Sequence, residues 1–100
     1  MIQLTSTQIK EKLNSKETFI LDFYADWCGP CKGLSMVIKT AADKVTLPIV
    51  DVNIDENIAL AQEFRVRSVP TMIVVDDNEN EIRRQVGAMN EEQLLQFLKG

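Results

Sequence analysis

Six consecutive residues, Phe19–Tyr24, form an apolar run that constrains the fold more than any other feature of this sequence. Asp22 is the one charged residue in the run, and its neighbours on both sides are aliphatic or aromatic. Successive side chains of a strand point to opposite faces of a sheet, so a strand of this composition must be covered on both faces. The run therefore predicts a central strand in a sheet that carries helices on both sides.

Predicted helices and further strands alternate along the rest of the chain. Strands are predicted at 49–54, 71–75 and 81–86. Helices are predicted from residue 5 to about residue 14, from the cysteine loop through 32–44, over 55–64 and from residue 90 onward. The polar turn 76–80 is so short that the two strands it joins must be antiparallel neighbours. The order βαβαβαββα indicates an α/β protein with a mixed sheet.

Two of the predicted helices begin with a capping box. Thr5 precedes Gln8 by three residues, and Asn90 precedes Gln93 by three. In each pair the two side chains can satisfy each other's backbone N–H groups at the helix start. Flanking apolar residues are placed to form hydrophobic staples: Leu4 with Ile9, and Met89 with Leu94.

Size and charge exclude several classes of protein. One hundred residues suit a single domain. A formal net charge of −4 argues against nucleic-acid binding, which depends on clustered Lys and Arg. No apolar stretch approaches the ~20 residues of a membrane span. The sequence after Met1 shows no basic region followed by an apolar core, so we expect a cytoplasmic protein with neither a nucleic-acid nor a membrane partner.

Cys28 and Cys31 are the only cysteines, and their spacing allows three interpretations. A zinc site needs four ligands, yet the chain has no further Cys and no His. A structural disulfide across so short a loop stabilises a fold by only about 2 kcal/mol, against about 4.7 kcal/mol for a 100-residue loop. Redox catalysis fits best, because a cysteine at a helix N-terminus meets unpaired N–H groups and the positive end of the helix dipole, which favour the thiolate. Gly29 permits a tight turn and Pro30 fits the first helical turn.

Three segments of the chain resemble the thioredoxin family. Residues 23–32, Phe-Tyr-Ala-Asp-Trp-Cys-Gly-Pro-Cys-Lys, are similar to its active-site signature. Ser-Val-Pro-Thr at 68–71 is similar to its cis-proline loop, and Val-Gly-Ala at 86–88 to its glycine turn before the last helix. The resemblance covers essentially all of residues 1–100 and implies one thioredoxin-like domain. The implied fold is α/β, a central mixed five-stranded sheet flanked by four helices.

The resemblance also implies a role for each matched residue. Cys28 is expected to be the attacking thiolate and Cys31 the resolving thiol in the reduction of protein disulfides. Asp22 corresponds to the family's buried acid, which takes the proton of Cys31. The residues expected to contact substrate are Trp27, Gly29, Pro30, Val69, Pro70 and Gly87.

Four of these residues have ordinary alternatives. Asp22 could be a structural acid at a strand end, although it lies in the middle of the run, and Gly87 could be simply a turn glycine. Trp27 could be a core aromatic residue instead of a lid on the active-site face, and the resemblance favours the lid. X-Pro bonds are usually trans, whereas the resemblance implies a cis bond before Pro70, with the backbone of Val69 left to pair with an extended substrate.

The implied partners are a flavin-containing, NADPH-dependent thioredoxin reductase and disulfide-containing proteins. The redox-active disulfide between Cys28 and Cys31 is expected to be sufficient, without a metal or other cofactor, in a monomer that supports electron transport and cell redox homeostasis.

Other functions stay open. An oxidant or isomerase is disfavoured by Gly29-Pro30, and a glutaredoxin usually has Cys-Pro-Tyr-Cys. A binding module that acts independently of redox state is the alternative from another class.

Three residues depart from the family pattern. Met36 stands where many thioredoxins have a proline that kinks the second helix. Ser68 stands where a glycine often precedes the cis-proline dipeptide. Asp51 stands where some bacterial members have a lysine near the buried acid. A second carboxylate disfavours the ionised form of its neighbour, so we expect Asp51, together with burial, to raise the pKa of Asp22. The alternative is that Asp51 points into water, where its charge is screened.

Overall fold

The computed structural model describes residues 2–100, with the side chains described from residue 4 onward. The described chain contains five strands, β1 (Ile2–Gln3), β2 (Phe19–Tyr24), β3 (Ile49–Asn53), β4 (Thr71–Val75) and β5 (Glu81–Val86). Its α-helices are α1 (Ser6–Leu13), α2 (Gly29–Thr40), α3 (Ile58–Glu63) and α4 (Glu91–Lys99). A 3-10 turn, Ala42–Lys44, follows α2. None of the helices between residues 2 and 100 is long and apolar enough to cross a membrane.

The strands form one mixed sheet in the order β1-β3-β2-β4-β5. Strand β2 lies in the middle, parallel to β3 and antiparallel to β4. Strands β4 and β5 are antiparallel, as their short connection requires. This confirms the predicted α/β fold, and β1 supplies the first strand of the predicted order, which no sequence pattern had located.

Strand β2 separates two hydrophobic cores. Alternate residues Phe19, Leu21 and Phe23 face the core that α1 and α3 cover, which contains Ile9, Leu13 and Leu60. Ile20 faces the opposite core, where α2 and α4 contribute Leu34, Ile38 and Leu94. Each large side chain of this kind contributes roughly 1.5–3 kcal/mol when it is fully buried. The apolar run is therefore covered on both faces, as predicted.

Helix α2 begins at the cysteine loop, as predicted, but it ends before the predicted residue 44. It begins at Gly29, because Cys28 caps it and Pro30 fits the first turn. It ends at Thr40, after which the Lys44 N–H donates to Ala41 O at 2.8 Å and tightens the chain into the 3-10 turn.

Helix α3 is shorter than the predicted range 55–64. The preceding residues form a turn that Asn53 organises. Its side-chain Oδ1 accepts the Asp55 N–H at 2.9 Å, and its carbonyl accepts Asn57 Nδ2 at 3.0 Å. These contacts delay the start of the helix to Ile58.

Arg83 fastens α4 to the sheet, a contact that local sequence patterns do not reveal. From β5, its Nε donates to Phe97 O at 3.0 Å and its Nη2 donates to Leu98 O at 3.3 Å. The guanidinium carbon also lies 5.8 Å from the centroid of the Phe97 ring. The last carbonyls of α4 thereby gain donors, as helix C-termini require.

Both predicted capping boxes are present. Thr5 Oγ1 accepts the Gln8 N–H at 3.2 Å, and Gln8 Oε1 accepts the Thr5 N–H at 2.9 Å. In α4, Asn90 Oδ1 accepts the Gln93 N–H at 2.8 Å, and Gln93 Oε1 accepts the Asn90 N–H at 2.9 Å. The flanking residue Met89 is buried in the core with Leu94, as a staple requires.

We expect Asn90→Ala to lower the free energy of unfolding by about 1 kcal/mol, because the N-cap acceptor of α4 is lost. Urea unfolding monitored by circular dichroism measures the change. Gln96→Ala, an exposed substitution within the same helix, is the matched control and should change stability by less than about 0.5 kcal/mol. Equal effects of the two substitutions would contradict the role of the cap.

Candidate active site

The two cysteines lie where β2 leads into α2. Cys28 is the N-cap of α2 in an extended conformation, and Cys31 lies in the first turn of the helix. They form a disulfide with their Cα atoms 5.3 Å apart. Cys28 is 4% exposed and Cys31 6% exposed, and both pack with Ala25 in a small cluster at the end of the sheet.

The backbone at this helix start is arranged around Cys28 Sγ. The Cys31 N–H points at that sulfur at 3.1 Å, as the donor to an N-cap side chain does. The Cys28 N–H is itself held by Ala25 O at 3.1 Å. In the reduced protein the Cys31 N–H and the positive end of the α2 dipole favour a thiolate at Cys28.

Gly29 and Pro30 are the exposed first residues of α2. Pro30 needs no backbone N–H there, as expected. A Cβ on Gly29 would meet no atom within 4 Å, and its φ lies outside the left-handed region. Gly29 therefore does not use the conformational freedom of glycine, since the position is an ordinary first helical residue.

Trp27 lies on the surface beside the cysteines and not in the core. It is 69% exposed, and its Nε1 donates to Asp55 Oδ2 at 3.0 Å. Asp55 belongs to the turn after β3, so this contact joins the active-site segment to a residue 28 positions along the chain. Sequence reasoning missed Asp55, because nothing local marks it as a partner of the indole.

The loop before β4 approaches the cysteine cluster. The peptide bond between Val69 and Pro70 is cis, as the resemblance implies. Val69 packs against the cluster that contains Cys28 and Cys31. Pro70 is buried, and its carbonyl accepts the Gly87 N–H at 2.9 Å.

Gly87 is the position in this region where the backbone requires glycine. Its φ is +98°, which L side chains rarely adopt, although a Cβ there would meet no atom within 4 Å. Its N–H donates to Pro70 O, so the glycine turn lies directly beside the cis-proline loop. The structure thus brings two of the matched segments together across the β4–β5 pair.

Two buried carboxyl groups lie behind the disulfide. Asp22 on β2 and Asp51 on β3 are partners in the parallel register, with 5% and 8% exposure. Both line a cleft of about 490 Å³. Its other lining residues are Tyr24, Ala25, Asp26, Cys31, Lys32, Ser35 and Lys39.

Burial, the negative charge of Asp51 and a hydrogen bond to the Asp51 side chain together raise the pKa of Asp22 to about 7, and burial is the largest of the three causes. This confirms the direction expected for the pair. A carboxyl group with such a pKa gains and loses a proton close to neutral pH.

The remaining departures leave the site intact. Met36 is 63% exposed on a continuous α2, and its carbonyl accepts Thr40 Oγ1 at 3.0 Å. The carbonyl of Ser68 accepts Thr71 Oγ1 at 2.8 Å, which holds the cis-proline loop. Among the residues from 2 to 100, no group of three or more His, Cys, Asp or Glu side chains could hold a metal ion.

The chain is similar to known proteins along its whole length. The thioredoxin family model matches residues 1–100. A thioredoxin from Mycolicibacterium smegmatis is 40% identical over 90 residues, which cover 86% of this chain and 80% of the relative. A thioredoxin from Haemophilus influenzae is 39% identical over 88 residues, which cover 86% and 81% respectively.

Solved structures agree with these matches. A mutant thioredoxin from Halobacterium salinarum superposes with a TM-score of 0.84 at 32% identity, over 98% of this chain and 87% of the other. Chloroplastic thioredoxin z has a TM-score of 0.82 at 23% identity, over 99% and 91%, and shows the shared fold alone. With a cysteine pair capping a helix at the end of a central strand, the chain belongs to the thioredoxin family of thiol-disulfide oxidoreductases.

Proposed function

We propose that this chain reduces protein disulfides, with Cys28 as the attacking thiolate and Cys31 as the resolving thiol. The main support for this assignment is the position of Cys28 Sγ at the N-cap of α2, 3.1 Å from the Cys31 backbone nitrogen. A negative charge on that sulfur is stabilised by the donor and by the helix dipole. Cys31 lies in the first turn of the helix and lines the cleft that contains the two acids.

The reaction transfers two electrons to the substrate. The Cys28 thiolate attacks one substrate sulfur, the substrate S–S bond breaks, and the departing sulfur takes the electron pair and then a proton. Cys31 then loses its proton and attacks Cys28 Sγ. The mixed disulfide breaks, the second substrate thiolate leaves, and the bond between Cys28 and Cys31 forms. The short spacing makes this second step intramolecular and therefore fast.

Asp22 is the base that we assign to the second step. It lines the same cleft as Cys31 and is nearly fully buried, whereas Asp26 at the same cleft is exposed. Its pKa of about 7 allows the carboxylate to take the thiol proton and to return it near neutral pH.

Substrate binding is assigned to the surface around the disulfide. Trp27, Gly29 and Pro30 are exposed beside Cys28. Val69 packs on the cysteine cluster, and Gly87 is hydrogen-bonded to the loop of Val69. A side chain is absent at Gly87, so an extended substrate can approach this surface and pair with the backbone of Val69.

The donor of electrons is proposed to be a flavin-containing thioredoxin reductase that uses NADPH. The cytoplasm suits this cycle, because thiols are kept reduced there. The protein is proposed to act as a monomer in which residues 1–100 form one domain, and the disulfide is the redox group that the cycle requires.

Equilibration with glutathione measures the reduction potential of the Cys28–Cys31 disulfide. A value well below the glutathione couple is expected, and a value well above it would indicate an oxidant instead.

Replacing the resolving thiol should trap the intermediate. Cys31→Ser is expected to accumulate mixed disulfides through Cys28, because the second step has lost its nucleophile. Cys28→Ser, the matched control, should trap far less. Non-reducing gel electrophoresis after incubation with a disulfide-containing protein, followed by mass spectrometry of the trapped species, measures both. Equal trapping by the two variants would show that the roles are wrongly assigned.

Asp22 should make stability depend on pH. Its folded-state pKa of about 7 lies above its ordinary value of 3.8, so the protonated group stabilises the fold below pH 3.8 and this contribution is lost as pH rises to about 7. The free energy of unfolding of the wild type should therefore fall between pH 5 and pH 8 by about 2.5 kcal/mol more than that of Asp22→Asn, which has no such proton to lose. Urea unfolding of the oxidised proteins measures the difference, and Asp26→Asn should run parallel to the wild type. If the Asp22→Asn curve also runs parallel, Asp22 has an ordinary pKa.

A further inference from the structure

Asp22 and Asp51 form a pair that two neighbouring strands hold together. Their Cα atoms are directly in register on β2 and β3, and their neighbours Ile20 and Ile49 show that both face the core under α2. Two adjacent buried carboxylates repel each other and lose hydration, which makes the doubly charged state costly. A proton added to either group relieves that cost.

A hydrogen bond between the two carboxyl groups depends on their protonation. Ionised carboxyl groups are acceptors, so a hydrogen bond between Asp22 and Asp51 requires a proton on one of them. Asp22 Oδ1 is buried in the described chain without a hydrogen-bond partner, and its residue lines the cleft that contains Cys31. The Asp22 carboxyl group can therefore take up a proton from the cleft, and its hydrogen bond to Asp51, which Oδ1 does not make, then holds the proton within the pair.

The other charges around the pair are weaker influences. Lys32 and Lys39 of α2 and Asp26 before α2 line the same cleft but are exposed, so water screens them. Tyr24 also lines the cleft, and Met72 opposes Asp22 from β4. The charge that acts on Asp22 is that of Asp51.

We propose that Asp51 is a positioning residue of the resolving step, which accepts the hydrogen bond of Asp22 once Asp22 has taken the proton of Cys31. This inference rests on the proposed function. The Cys31 proton moves to Asp22, and the pair changes from two negative charges to one. The Cys31 thiolate attacks Cys28 Sγ, the substrate thiolate leaves with the electron pair, and the stored proton passes through the open cleft to water or to the departing thiolate.

A charge series at position 51 tests this role. The reduced protein is mixed with dithiobis(nitrobenzoate), and stopped-flow absorbance follows the second thionitrobenzoate, which leaves when Cys31 resolves the mixed disulfide. The wild-type rate should rise with pH through a midpoint near 7. In Asp51→Asn the midpoint should fall by at least one pH unit, and the rate at pH 7.5 should fall several-fold, because Asp22 becomes a weaker base.

Two further variants control the experiment. Asp51→Lys should lower the midpoint more than Asp51→Asn, and if it does not fold, Asp51→Asn alone decides. Asp26→Asn removes a carboxylate from the same cleft and should keep the wild-type midpoint. Carboxyl carbon NMR of the oxidised proteins gives the Asp22 pKa independently of any rate. The Asp22 pKa should fall from the wild type to Asp51→Asn and fall further in Asp51→Lys.

The outcomes separate this inference from the proposed function. If Asp51→Asn keeps the wild-type midpoint and the wild-type Asp22 pKa, Asp51 is only structural and the inference is wrong, although Cys31→Ser still traps mixed disulfides. If the second thionitrobenzoate is released equally well by Cys31→Ser, the resolving role itself fails.

Discussion

Burial of β2 on both faces is the constraint on which the rest of the structure depends. Its side chains alternate between two cores, so the helices α1 and α3 must cover one face while α2 and α4 cover the other. The strand ends where α2 begins, and the end of a buried strand is a place where backbone groups become available to a site. Cys28 lies at that junction, so the reactive sulfur gains a helix N-terminus while its surroundings stay apolar.

The same burial gives Asp22 its chemistry. A carboxyl group in the middle of a two-sided apolar strand cannot be hydrated like a surface acid, and its proton is held to about pH 7. The parallel register places Asp51 beside it. An acid in a central strand therefore lowers stability at alkaline pH and places a carboxyl group with a near-neutral pKa behind the cysteines. Functional groups that cost stability in this way are common at active sites.

Much of the fold could be predicted because its signals are local. The apolar run at Phe19–Tyr24 and the capping boxes of Thr5 and Asn90 each depend on residues close together in sequence, and the structure contains all three. Predictions failed where a side chain overrides the local pattern. Asn53 turns the chain and delays α3, and the 3-10 turn shortens α2. Strand β1 is two residues long and forms only because β3 is there to pair with it.

The sequence by itself determined the alternation of strands and helices, the cysteine pair at a helix start and the presence of an acid within a central strand. These follow from periodicity and spacing, which act within a few residues. The tertiary structure alone decided that Trp27 is held by Asp55, that Gly87 lies against Pro70, and that Asp51 faces Asp22. Each of these contacts joins residues at least 17 positions apart, and the register of the sheet and the packing of its loops, which no local pattern encodes, bring them together.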